Sequence, residues 1–142
     1  MEEPVVIPIP EVDPIKYPGV SERIKAMVMD SMVIVFMIIS VSYLFAQFDE
    51  VSATVRTAAL VFIFGLYDPF MTSAFGATLG HRSMGNRVSK GSDHGERISF
   101  PLALVRYVIK ALLGWLSLLT VGSNKHKLAI HDIAVGSVVL YT

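Results

Sequence analysis

The sequence has no cysteine, which excludes a disulfide framework, a thiolate metal site and a cysteine nucleophile. It has no surplus of charge either: twelve basic and twelve acidic residues cancel over 142 positions, so no global basic field argues for nucleic acid. Charge is scarce altogether, at 17% of residues against 53% hydrophobic, and the mean hydropathy is +0.57. That balance points to membrane rather than to cytosol. Chemical motifs are missing too. GATLGHRSMG lacks the Lys-Ser or Lys-Thr ending of a phosphate-cradling loop. His81, His94, His126 and His131, with Asp93 and Asp132, fall in no HExxH-like spacing, and there is no GxSxG elbow for a serine nucleophile. These absences predict a protein that is not an enzyme and that uses no cofactor and no metal.

What the chain does have is long apolar runs. They follow an opening, MEEPVVIPIPEVDPIKYPGV, that holds five of the seven prolines and has neither the basic start nor the apolar stretch of a signal peptide. Residues 1–18 are predicted to be a disordered, polyproline-like cytoplasmic tail, and residues 19–142 a membrane domain. Ser21 is placed to cap a first helix, with a span near residues 26–48 whose only charge is Asp30; a spanning helix needs about 20 residues. Gln47, Asp49 and Glu50 make a short acidic connection to a second span near 51–68, interrupted only by Arg56 and ended or kinked by Asp68-Pro69.

The glycine-rich stretch that follows carries Arg82, Arg87, Lys90 and Arg97 and reads as an interfacial helix and a turn. A third run near 100–121 starts with Ser99 and Pro101 and is apolar except for Arg106 and Lys110. The fold class is therefore an all-α integral membrane protein with two transmembrane helices, a third membrane-embedded or spanning helix and an interfacial Gly/Arg-rich segment. Basic-residue placement leaves the third run open. Three full crossings would put Lys16, Arg23, Lys25, Arg82, Arg87, Lys90 and Arg97 on one side but Lys125 and Lys127 on the other with Arg56. If instead 99–110 lay along the interface and 111–121 dipped in and returned, Arg106 and Lys110 would stay near headgroups and the late bases would join the majority. The end of the chain is β-rich, SVVLY after His131-Asp132, and suits an extended segment pairing with the loop before the third run.

Three motifs in order, YPGVSERIKAMVMDSMVI, GATLGHRSMGNRV and KLAIHDIAVGSVVLY, resemble the RDD family of small membrane proteins, named for one arginine and two aspartates. The resemblance covers roughly Tyr17 to Tyr141 and implies that the family arginine is Arg23 and the aspartates Asp30 and Asp132. It departs at His81, where the family often has lysine. The family implies transport, including cation/proton antiport in some members, more than it defines a reaction.

Physical argument adds to those letters. An ionised Asp at the centre of a spanning helix costs on the order of 2.5 to 3.5 kcal/mol, so Asp30 marks a functional site or a buried pairing. Arg23 and Asp30 are seven positions apart and return to nearly the same helix face about 10 Å apart. Arg23 is thus expected at phosphate depth and Asp30 deeper, looking inward toward ion-pair partners Arg106 and Lys110, with Asp132 brought near Arg23 as the family pattern implies. Gly80, Arg82, Gly85 and Arg87 are candidates for contact with a lipid phosphate or an anion, against the plainer reading of an interfacial helix on acidic headgroups.

Two functions compete. In one, Asp30 alternates between protonated and ionised forms as a cation or small solute passes. In the other, Arg23, Asp30 and Asp132 form a static polar brace in a structural or scaffold membrane protein. Expected partners are membrane lipids and a homo-oligomer packed through Gly65, Ser73, Ala74 and Gly76, with no nucleic acid. The expected location is a prokaryotic cell (inner) membrane with the N-terminus cytoplasmic.

Overall fold

The computed structural model describes residues 15–142; the expectation of disorder for the earlier part of the tail lies outside the described residues. The last tail residues belong to the fold. Tyr17 meets the His126 ring edge-on at 5.4 Å, Pro18 is buried and the Lys16 carbonyl accepts the Tyr141 N–H.

Helix α1 (Val20–Phe45) is capped by the backbone at Gly19, so Ser21 lies inside its first turn rather than ahead of it. Helix α2 (Ala53–Phe75) is capped by Ser52, whose hydroxyl accepts the Val55 N–H. It does not stop at Asp68-Pro69 but continues about two turns further to Phe75. Pro69 removes one intrahelical bond; packing along α4 (Phe100–Leu113) compensates, and the Tyr107 hydroxyl of α4 donates to the Phe64 carbonyl beside the gap. Gly76, at φ +77°, then closes α2 in the left-handed conformation that glycine adopts without strain.

Where an interfacial helix was expected, the chain forms only the short α3 (Leu79–Ser83) and then a strand, β1 (Asn86–Lys90). The strand exists because the β-branched C-terminus supplies a partner. β2 (Ser137–Tyr141) runs antiparallel to β1, with Asn86 opposite Tyr141 and Lys90 opposite Ser137. The described residues are 65% helix, and this pair is their one departure from an all-helical fold.

The third run is α4 followed by a 3-10 segment (Gly114–Gly122) and then α5 (Ile130–Val135). Gly114, at φ +53° and ψ −132°, breaks the helix between the first two. By length and composition three helices suit a membrane, Val20–Phe45, Ala53–Phe75 and Phe100–Gly122. Both ends of the third, however, lie at the same end of the molecule. Ala103, near its start, packs with Val88 and Val139 of the sheet and with Ile98. Just past its finish, the Lys127 carbonyl accepts from Arg23 at the start of α1, at 2.8 Å. The third run therefore leaves and returns, and Lys125 and Lys127 share an end with the other bases except Arg56, which stands by the α1–α2 loop. Leu118, Val121 and Ala129 pack under it against Met27 of α1.

Candidate functional site

The capped end of the helices encloses a set of buried charges. Asp132 stands at the third position of α5, where its Oδ2 accepts the Ala129 N–H at 3.2 Å, tying down the helix start. The same carboxylate takes Arg23 Nη1 at 2.6 Å, Arg106 Nε at 2.9 Å and the Ser137 hydroxyl at 3.3 Å. One side chain thus joins α1, α4, α5 and β2. Arg23 and Arg106 are 2% and 1% exposed, so Arg23 does not sit among headgroups as expected, nor does Arg106, as it would if 99–110 lay along the interface. Protein acids take Arg23 Nη1 and Arg106 Nε instead, while Arg23 Nε and both terminal nitrogens of Arg106 have no hydrogen-bond partner among the described residues.

Asp30 is bound differently. Its Oδ1 accepts the Tyr67 hydroxyl at 2.9 Å and the Gly80 N–H at 2.8 Å, and its Oδ2 accepts the Thr78 hydroxyl at 2.7 Å. Thr78 is also the N-cap of α3, accepting the His81 N–H, and Tyr67 accepts the Leu79 N–H. The carboxylate therefore completes the N-terminus of α3, whose unpaired N–H groups favour an acid. Gly80 is required there: a Cβ on it would lie 2.1 Å from the Ala26 carbonyl oxygen.

The expected pairing of Asp30 with Arg106 and Lys110 is not what forms. Lys110 Nζ bonds Asp68 Oδ2 at 2.7 Å, and Arg106 turns to Asp132. The reason is that Asp68 lies on the part of α2 that packs on α4, where Lys110 stands one turn from Arg106. Sequence reasoning missed Asp68 by reading it as a helix stop; an acid closing an apolar run beside a proline was its only signal. It also missed Tyr67, Thr78, Ser117 and His131, ordinary residue types with no distinguishing spacing.

The glycine and arginine set does not converge on one anion-binding spot. Gly80 is sealed against α1 by Asp30. Arg82 is exposed, Arg87 reaches Ser89 at 3.1 Å and the His94 carbonyl, and the Gly85 carbonyl accepts from Thr142. Gly76 serves as a helix terminus.

Electrostatics within the cap follow from burial and neighbours. Burial alone would raise the Asp132 carboxyl, but Arg106 and Arg23 outweigh it and hold the group well below the ordinary carboxylate range. His131 is pushed down to about 3 by burial first and by Arg106 second, against Asp132. It is therefore neutral, and the 3.6 Å approach of its Nε2 to Asp132 is not an ion pair; its Nδ1 meets the Ser117 hydroxyl at 2.5 Å. His81 is likewise pushed to about 3, by burial and then by Lys110 and Arg106. An open hollow of about 520 Å³, lined by Tyr17, His94, His126 and Ser137 among others, reaches Asp132 from the solvent side. Beyond it, the space between Arg23, Met27, His81, Lys110, Leu118 and His131 is only about 10 Å³. Among the described residues no group of three His, Asp or Glu side chains is gathered as for a metal.

No curated protein and no solved structure matches this chain. The family model described as RDD family matches residues 17–136, a stretch that contains Arg23, Asp30 and Asp132 together with every segment that encloses them except β2. A membrane protein with apolar helices and an arginine and two aspartates buried at one end, this chain belongs to the RDD family.

Proposed function

We propose that this chain works as a structural membrane protein, a scaffold or accessory subunit rather than an enzyme, in which Arg23, Asp30 and Asp132 form a static polar brace. One observation carries the reading: each of the three buried carboxylates is fully engaged, Asp132 by two guanidinium groups, Asp68 by Lys110 and Thr72, and Asp30 by the start of α3. The space beside them, between Arg23, His81, Lys110 and His131, is only about 10 Å³. Buried ionic groups add little net stability against apolar replacements but fix one arrangement, while removal of one partner costs about 3–5 kcal/mol. The capped end is assigned to the cytoplasm, because Lys16, Lys25, Arg82, Arg87, Lys90, Arg97, Lys125 and Lys127 lie on segments at that end against Arg56 alone at the other.

A second reading rests on the difference between the acids. Asp30 alone is held only by neutral donors, which makes it the carboxylate free to exchange a proton as a cation or small solute moves through an oligomer. Ion and proton flux in proteoliposomes, for the native chain, Asp30→Asn and Asp132→Asn, separates the two. The brace predicts no native flux, and for Asp132→Asn a large loss of thermal stability in detergent. Native flux that disappears in Asp30→Asn, with melting and assembly unchanged, refutes the brace and makes Asp30 the transport residue.

A further inference from the structure

At the end of the molecule opposite the brace, three charged side chains stand together in sequence without partners. Arg56 lies in the first turn of α2, and Asp49 and Glu50 lie on the loop that joins α1 to α2; all three are exposed, and among the described residues none of them makes an ion pair. A base in that turn faces the positive end of the helix dipole, so its own helix gives it no counter-charge.

Arg56 also lines an open groove of about 290 Å³ between α1 and α2, walled by Ile38 and Phe45 of α1 and by Leu60 and Ile63 of α2. The third run, which turns back at Gly114, contributes nothing to the lining. Arg56 and Ile63 are seven positions apart, as are Ile38 and Phe45, so the groove extends about 10 Å along both helices, from the charged loop toward the bilayer interior.

Shape selects an acyl chain, and charge selects its headgroup. Lipid tails are as apolar as the groove walls, so a chain lying in the slot is held by van der Waals contact and by what its headgroup meets. A phosphate suits the guanidinium fork of Arg56. The acids set the rest. Arg56, Asp49 and Glu50 sum to one negative charge, which an anionic headgroup would increase. A choline headgroup brings a positive charge without an N–H, whereas a primary ammonium brings both charge and donors.

We propose that the α1–α2 groove holds one chain of a phospholipid with a primary-ammonium headgroup, of the phosphatidylethanolamine class, its phosphate on Arg56 and its ammonium at Asp49 and Glu50. The site is separate from Arg23, Asp30 and Asp132 and stands whichever function those residues serve.

The test is thermal melting of the full chain in detergent, titrated with phosphatidylethanolamine, phosphatidylcholine or phosphatidylglycerol of the same acyl chains. A ligand that binds only the folded state stabilises it in a saturable way. The bases at the other end attract anionic lipid as well, so the quantity read is the part of each rise that Arg56→Gln removes; Arg56 is exposed, and its loss leaves the fold intact. That part should amount to a few degrees with the ethanolamine lipid and be smaller with the other two, and Asp49→Asn with Glu50→Gln should reduce it to the level seen with choline. No Arg56-dependent rise, or one equal or larger with choline or glycerol lipid, overturns the proposal. Ala59→Phe fills the groove without removing a charge and should abolish the Arg56-dependent rise. If that substitution instead dissociates an oligomer in light scattering and leaves the rise unchanged, a second copy of the chain occupies the groove and the proposal is overturned.

Discussion

Gly80 and Asp30 are a matched pair: the carboxylate reaches the Gly80 N–H only because no side chain stands between α3 and the Ala26 carbonyl. Gly80→Ala should therefore be among the most damaging small changes in the chain. The new methyl meets backbone, which cannot rotate away, so an overpacking cost of about 1–3 kcal/mol is expected, seen as a lower melting temperature in detergent. The histidines give a second prediction at this scale. His81 and His131 stand near 3 in the folded protein against 6.5 ordinarily, so between those values the unfolded chain binds protons that the folded chain does not. Their contribution is whole above pH 6.5 and is lost progressively as pH falls toward 3; Asp132, also depressed, adds its loss at the acid end of that window. Melting temperature measured down this range should fall steadily, and His131→Gln should reduce the slope.

The elements differ in how far they could be read from sequence. α1 and α2 are apolar over a spanning length, and burial in lipid needs only that; their existence followed directly, and only their ends moved. The end of α2 moved most, since a proline ends a helix unless something else holds it, and what holds this one is α4, more than thirty residues away in sequence. β1 is the reverse case. NRVSK carries little strand preference of its own, whereas SVVLY does, so only the pairing identifies the first. The break in the third run rests on Gly114, the residue that adopts φ +53° and ψ −132° without a Cβ penalty. Gly114→Ala should cost about 1–3 kcal/mol and weaken the packing of Leu118 and Val121 on Met27. Protease sensitivity of the 3-10 segment should rise with it.

At the scale of the whole molecule, structure gathers one end and leaves the other spare. Along its best membrane window α1 is only 6% buried, against 28% for α2 and 22% for the third run, so most of its surface is left for lipid or a second copy. Because the third run returns to the end it left, the loop holding Lys125 lies at the same end of the molecule as Ser92 and opposite Asp49. The native chain has no cysteine, so single replacements report this directly. Ser92→Cys and Lys125→Cys should react with an impermeant thiol reagent from the same face of sealed vesicles, and Asp49→Cys from the other. Lys125→Cys reacting with Asp49→Cys would show a full third crossing.

Composition and run length by themselves determined the membrane class, the two long helices, the family and the three letters Arg23, Asp30 and Asp132, because lipid burial and motif order are properties of neighbouring residues. Which charge meets which was decided only in three dimensions. Arg106 and Lys110 lie apart in sequence from every acid of the centre, and a buried cation binds whichever carboxylate the helix packing delivers. Here α2 sets Asp68 against Lys110, α5 sets Asp132 against both arginines, and α3 takes up Asp30 in place of a cation.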